Sequence, residues 1–456
     1  MTSNLSNLLA IVATAGLAAC LAFDLRNGIN RILTGRTAVL VSVFLWYMLE
    51  ALRIPKDLER YSQGEYDAGL LAVAFSVAVF LGAYHVSRVP LIAPLARRLP
   101  MLDQPRALWL LVMGGMTIGI GSILLYNGFD VMELFEGLTG MRRRWTGLGR
   151  GRYGSWSTII YELQMFLQAT VPIAVALAFM KRAPGLQRCV AGVFVLWMFV
   201  RAFWSGSRTP MLVIVLPLTA AIFFNASARW RRWLVVAGLP IALIGGYYWS
   251  AVIVAGRNAG NFDTAAAEKT DYVGFEMFRE LLFVSHAVAE GMDLQLGYTY
   301  FTQLVNPIPR AIWPDKPVAD AGLLLARAYG AVDKNGEPTM TVSPGFLGEA
   351  YLNFGLLGLV FVPALAGVLV RAWDELVPFA TRSLPAFLIF AAGLATILAS
   401  GRSFNFSNYY GLLALFFLML AFEKAGLAVP QRQVVAAPPI QKPVRPLPTF
   451  TWKGPG

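Results

Sequence analysis

The chain has 456 residues, of which 57% are hydrophobic and only 14% charged, with a mean hydropathy of +0.58. So apolar a composition excludes an ordinary soluble domain and indicates an integral membrane protein. The net charge of +12 reads as membrane topology and not as nucleic-acid binding, because Lys and Arg accumulate in short cytoplasmic loops.

The expected fold class is all-α and polytopic, with about 11 (10–14) transmembrane helices, since apolar runs of roughly 17 to 25 residues are long enough to cross hydrocarbon. None alternates with period two, which argues against a barrel. The first run, 5–23, ends in "LAAC" at Cys20, a pattern similar to a bacterial lipoprotein cleavage site. No Lys or Arg precedes it, whereas a secretory signal begins with a positive region, so an uncleaved first helix is expected. Cys20 and Cys189 both fall in apolar runs and read as small hydrophobes, with no disulfide or metal framework. The second run, 37–54, carries Glu50 and Arg53 near its end, spaced for an ion pair on one helix face.

Runs 68–86, 107–126, 157–180, 189–205, 209–225 and 233–255 follow. Glu162 lies within a turn of one boundary and Arg201 near another; snorkelling or packing explains each as well as chemistry does. Arg208, in "WSGSRTPM", sits in a tight turn with Pro210 at a helix start. With the amino terminus outside, the basic residues of the connections at 26–36, 88–106, 181–188, 229–232 and 371–382, and of the tail, are cytoplasmic. That is roughly twice the basic count of the opposite short loops. One loop dissents: "MRRRWTGLGRGRYG" carries five arginines and falls outside.

The long connection from Gly256 to about Phe346 has seven basic and eleven acidic residues, a net of −4 in an otherwise basic chain, and reads as external. Loops of this length are usually functional. Within it, "TDYVGFEMFRELLFVSHAVAEGM" places Phe275, Phe278, Leu282, His286 and Val288 near helical spacing, with Gly291 as a stop. A helix lying along the outer surface and roofing a cavity is expected. Then comes "NPIPRAIWPDKP", whose prolines fix an irregular backbone unable to face lipid. Runs 347–371, 384–400 and 408–423 complete the set, with Arg402 in "ASGRSFNFSNYY" between the last two. The expected organisation is helices 1–8 over residues 1–255, a periplasmic loop over 256–346, helices 9–11 over 347–424, and a disordered Pro-rich cytoplasmic tail over 425–456.

Ionisable residues at membrane depth are costly unless they face water or a partner, so each is a site hypothesis. Arg208 and Arg402 occupy outward turns and are able to aim at one cavity. Arg257, Arg310 and Lys316 extend the set. Arginine is the residue to expect against phosphate, because its planar fork stays charged and donates two parallel hydrogen bonds. Contact with lipid headgroups explains any single one of these equally well.

"SGSRTPM", "NPIPRAIWPDKP" and "SPGFLGEAYLNFGLLG", in that order around a long external loop, resemble the O-antigen polymerase (Wzy) family of bacterial repeat-unit polymerases. The resemblance covers roughly residues 200–410; the first 200 contribute only the polytopic pattern. It implies a fold similar to the GT-C-like fold of lipid-linked glycan polymerases and ligases. It also implies a glycosyltransferase that polymerises undecaprenyl-pyrophosphate-linked oligosaccharide (O-antigen, capsule or exopolysaccharide) at the periplasmic face of the bacterial inner membrane. Expected partners are that lipid-linked oligosaccharide, membrane lipids, a chain-length regulator and a flippase, and no nucleic acid. On the matching positions, Arg208, Arg310, Lys316 and Arg402, with Arg257, would stabilise the leaving pyrophosphate. Glu349 or His286 would take the acceptor proton. Tyr298, Tyr300, Phe301, Trp313 and Tyr351 are able to stack on sugars or to form an interfacial belt. Neither a DxD motif nor a metal-spaced cluster appears, so no nucleotide sugar, cofactor or required metal is expected.

Two rivals differ. An O-antigen ligase-type transferase would share the donor and change the acceptor. A secondary transporter would usually show two related halves, and no internal repeat is found.

The external assignment of the long loop has a direct test. A single cysteine at Lys334 should react with a membrane-impermeant maleimide added to intact spheroplasts; protection until lysis would overturn the topology.

Overall fold

The computed structural model describes residues 4–27, 32–53, 61–88, 104–132, 163–204, 208–238, 276–305, 321–336, 342–402 and 409–424, together with residues 90–96, 99, 134, 160, 241, 245, 252, 308, 312–317 and 338. The described chain is helical, with one isolated antiparallel bridge, Val332 to Pro338, and no strand among the described residues. In order, the helices are α1 (Asn4–Asn27), α2 (Gly35–Val43), a π-helical stretch (Phe44–Met48), α3 (Leu49–Arg53), α4 (Gln63–Val86), α5 (Pro105–Tyr126), α6 (Met165–Phe179), α7 (Gly185–Trp204), α8 (Arg208–Asn225) and α9 (Ala228–Trp233). After these come α10 (Met277–Ala289), α11 (Tyr298–Val305), α12 (Ala321–Ala328), α13 (Gly345–Phe354), α14 (Gly358–Asp374), α15 (Leu384–Ser400) and α16 (Tyr410–Lys424).

Five helical stretches are long and apolar enough to cross a membrane: Gly35–Leu52, Gln63–Val86, Pro105–Tyr126, Gly185–Phe203 and Gly345–Ala380. Other expected runs appear as shorter apolar helices, at Thr14–Asp24, Met165–Phe179, Met211–Asn225, Leu384–Ser400 and Tyr410–Ala421. Most of the run expected at 233–255, the five-arginine loop, Glu162 and the Pro-rich tail lie outside the described residues.

Two large apolar clusters hold the helices together. One joins α5, α6, α7, α8, α15 and α16, around Leu108, Ile173, Leu177, Phe390 and Met419. The other joins α2, the π-helical stretch, α4, α10 and α13, around Leu40, Tyr47, Leu70, Phe278 and Leu347. The second cluster positions the external segment. On α10, Phe278, Leu281, Leu282 and Val284 are buried, so the expected amphipathic helix exists and Gly291 follows it at φ +109°. Phe278 lies edge-on to Tyr66 at a centroid distance of 5.2 Å, and Leu282 packs on Gly69.

The helix expected at 347–371 is broken. Gly355, at φ +60° and ψ −141°, ends α13 in a conformation that L-residues avoid, and a short 3-10 turn leads into α14. From Leu357 at the end of that turn through α14, Leu357, Phe361, Leu365 and Leu369, four residues apart, are exposed, while Leu359, Pro363, Gly367 and Val370 are buried. An exposed apolar stripe on so apolar a helix is the face turned to lipid. The buried face packs on α4. Pro363 lacks an N–H and leaves the Leu359 carbonyl without its helical donor. The Ser76 hydroxyl of α4 supplies one at 3.2 Å, which satisfies the group where water is absent.

At the α4–α14 crossing, a Cβ on Gly367 would stand 2.5 Å from the Phe80 carbonyl oxygen and 3.0 Å from the Tyr84 nitrogen. These are backbone atoms and cannot swing away. Gly367→Ala should therefore destabilise by about 1–3 kcal/mol, read as a lower melting temperature in detergent. Gly192→Ala, where nothing lies within 4 Å of the added Cβ, serves as the control with no loss.

Candidate functional site

Glu349 lies on α13 and is fully buried. Its helix is fixed at the start by Tyr47, whose hydroxyl accepts the Leu347 N–H at 2.9 Å and so satisfies one of the unbonded donors of a helix N-terminus. Thr299 and Gln303, four residues apart on α11 and therefore on one helix face, both donate to Glu349 Oε1, at 3.1 and 2.9 Å. Asn353, one turn after Glu349 and also fully buried, donates from Nδ2 to Thr299 Oγ1 at 2.7 Å and to the Glu349 carbonyl at 2.8 Å. Its Oδ1 accepts from the Gly297 N–H at 3.0 Å.

The segment before α11 is stitched to the same helix. Gln295 N–H donates to Leu352 O at 3.0 Å and Leu296 N–H to Asn353 O at 2.8 Å. Tyr300 is pushed well above the usual phenol range by burial first, and then by the negative charge of Glu349. Its ring stacks on Phe354 at 6.3 Å.

Arg402 ends α15, its backbone N–H bonded to Ala399 O at 3.1 Å. The preceding carbonyl, of Gly401, accepts the Phe346 N–H at 3.2 Å. Phe346 is one turn before Glu349, about 4.5 Å along the helix axis. Arg402 is partly buried, and its Nε has no hydrogen-bond acceptor among the described residues.

His286 is placed otherwise. Its Nδ1 meets Glu65 Oε1 at 2.6 Å and its Nε2 meets Glu290 Oε1 at 3.2 Å. Two carboxylates can be satisfied only by a ring that donates from both nitrogens, which is the imidazolium. Consistently, the hydrogen bond to Glu65 raises its pKa above the usual histidine value, against some desolvation. His286 thus forms an ion-pair tie between α10 and the start of α4. None of its hydrogen-bond partners is shared with Glu349.

Lys316 is buried, its Nζ donating to Ile308 O at 2.7 Å and its backbone N–H to Trp313 O at 3.3 Å. Through these bonds it braces the Pro-rich stretch from within. Trp313 is half-buried and lies edge-on to exposed Phe301 at 6.5 Å. Tyr351 packs between Phe283 and the small cluster of Val284, Leu325 and Leu352. Arg208 occupies the first turn of α8, and its side chain, like Arg257 and Arg310, lies outside the described residues.

Sequence reasoning missed Thr299, Gln303 and Asn353. The i, i+4 spacing of each pair was available, but nothing in the sequence sets the two helices against each other. It also missed a second polar group: Glu50 Oε2 accepts the Arg279 N–H at 3.0 Å, while the Arg53 side chain expected beside it lies outside the described residues. Beside it, Arg279 pairs with Glu280 at 3.3 Å, and Tyr329 donates to Glu280 at 2.9 Å. Burial still pushes the Glu280 carboxyl above its usual range. No protein-family model, curated protein or solved structure matches the chain, so its chemistry is argued from its own residues.

The His286 tie has a pH signature. Because the folded pKa is raised, its stabilisation is complete below about 6.5, the unfolded value, and is lost as pH rises through the folded value. Both partners are well exposed, which limits the effect to less than about 1 kcal/mol. Melting of the wild type should fall more than that of His286→Gln between acid and mildly alkaline pH; parallel curves would remove the tie.

Proposed function

We propose that the chain is a membrane glycosyltransferase that polymerises undecaprenyl-pyrophosphate-linked oligosaccharide repeat units at the periplasmic face of the bacterial inner membrane. The observation that carries the reading is the junction of α13 and α15. A buried carboxylate, Glu349, sits one turn from the backbone bond that ties its helix to the end bearing Arg402, whose Nε–H has no acceptor among the described residues. A base and a cation on helix ends joined by that bond are what this transfer needs. The motif resemblance around Arg208, Arg310 and Glu349 supplies the substrate class.

In the reaction, the bond between the anomeric carbon of the growing chain and its pyrophosphate oxygen breaks, and the electron pair leaves with the pyrophosphate. A hydroxyl of the incoming lipid-linked unit forms the new bond to that carbon, and its proton passes to Glu349. Arg402 meets the negative charge gathering on the leaving group, with Arg208, Arg257 and Arg310 as further donors. A preorganised cation contributes on the order of 10²–10³ in rate, and a positioned base about 10²–10⁴. Lys316 acts indirectly here, by holding the Pro-rich stretch in shape. Trp313 and Phe301 form an aromatic edge suited to a sugar face. The leaving group is already stable as an anion, so no proton donor is called for on that side.

The test is a glycan length ladder from cells with and without the protein. Deletion should leave single repeat units, and Arg402→Ala or Glu349→Gln should do the same while the protein still inserts at normal levels. Complete loss of surface glycan with lipid-linked polymer accumulating would make the chain a ligase. An unchanged ladder on deletion would sink both readings.

A further inference from the structure

We infer that Asn353 and Thr299 form a one-way hydrogen-bond relay that positions the Glu349 carboxylate for the acceptor proton. This rests on the reading of Glu349 as the base. The direction of the relay follows from donor and acceptor inventory alone. Asn353 Oδ1 faces the Gly297 N–H at 3.0 Å and its Nδ2 faces the Glu349 carbonyl at 2.8 Å. Reversing the amide would set oxygen against oxygen and N–H against N–H, so its orientation is fixed. Its second Nδ2 hydrogen then points at Thr299 Oγ1, 2.7 Å away. A hydroxyl has one proton. With Asn353 donating to it, Thr299 must spend that proton on Glu349 Oε1, at 3.1 Å.

Gln303 Nε2 is the second donor to the same oxygen, at 2.9 Å. Two donors on one oxygen, from residues one turn apart on α11, fix the plane of the carboxylate. The relay is sealed: Thr299 and Asn353 are fully buried, and no water is needed to complete it. Thr302 adds a brace within α11, its hydroxyl donating to the Thr299 carbonyl at 2.9 Å. Because Asn353 also holds the Gly297 N–H and its own carbonyl holds that of Leu296, it joins the external segment to the membrane helix and orients the base with the same side chain. A carboxylate so held is aimed before substrate arrives, which lowers the reorganisation needed in the transition state.

Thr299 and Asn353 are positioning residues, since neither is argued to touch substrate. The measurement is polymerisation in membranes containing the full-length protein, with extracted lipid-linked repeat units as the varied substrate. Thr299→Val keeps the shape and removes the hydroxyl; it should lower kcat 10- to 100-fold with KM nearly unchanged, and Thr299→Ser should restore the rate. Asn353→Asp keeps the shape, places an acceptor where the relay needs a donor, and should lower kcat similarly. The double variant should be little worse than either single one, because both cut one relay. Should Thr299→Val fail to insert, Asn353→Asp carries the test. Wild-type kcat in an inserted Thr299→Val or Asn353→Asp protein, with Glu349→Gln inactive, would overturn the relay and leave the polymerase reading standing. A serine variant as slow as the valine variant would also overturn it. Full chain growth by Glu349→Gln would overturn the reading on which the relay depends.

Discussion

A carboxylate with no exposed surface is the constraint around which α11 and α13 are arranged. Removing a charged or strongly polar group from water is tolerable only where hydrogen bonds replace hydration. Glu349 obtains two of them from α11, a helix of the long segment between α9 and α13. That single dependence fixes several others. Helix α11 must lie against α13, so the segment before it is pinned by Leu352 and Asn353 carbonyls. Helix α13 must be short, since its last turn has to present those carbonyls, and the break at Gly355 provides this. The start of α13 must hold its angle, which the Tyr47 hydroxyl and the Gly401 carbonyl secure from two other helices.

The other end of the α13–α14 path uses the same device with different residues. Asp374, buried at the end of α14, accepts the N–H groups of Gly35 and Arg36 at 2.5 and 3.1 Å and the Tyr84 hydroxyl at 2.8 Å. The first two belong to the start of α2, where unbonded N–H groups and the helix dipole favour a carboxylate. Arg36 in turn pairs with Asp24 of α1 and lies 5.5 Å from the Tyr84 ring centre. One acidic residue thus gathers α1, α2, α4 and α14. Apolar packing between helices carries little direction in lipid, because the tails are as apolar as the side chains. Polar knots at both ends supply the register that packing alone would leave loose.

Fold class was legible because composition and run length are one-dimensional properties: α4, α5 and α7 fall where the apolar runs put them. Helix α10 was legible for a similar reason, its buried Phe278 and Leu282 being a periodic signal within one segment. The break at Gly355 was not, since a glycine within an apolar run reads as tolerated until its φ is known. Glu349 stood out as an acid where its helix meets the membrane, yet its partners did not, because Thr299 and Gln303 are unremarkable on an exposed amphipathic turn. The surroundings of Lys316 were not legible either. Sequence shows a cation on a stiff frame, but whether the ammonium faces outward or back onto Ile308 O depends on a fold of that frame that proline content does not specify.

The contrast between His286 and Glu349 shows why residue type is a poor guide to a base. Histidine has the more suitable intrinsic pKa, and from sequence both residues stood as candidates. Environment reverses that advantage. His286 lies between two carboxylates at a partly exposed edge, where the charged ring is the favoured form and its work is to hold α10 to α4. The Glu349 carboxylate accepts from a hydroxyl and a side-chain amide, groups that orient it without supplying a proton it would keep. A site that must take a proton once per turnover and release it again is better built on such a group.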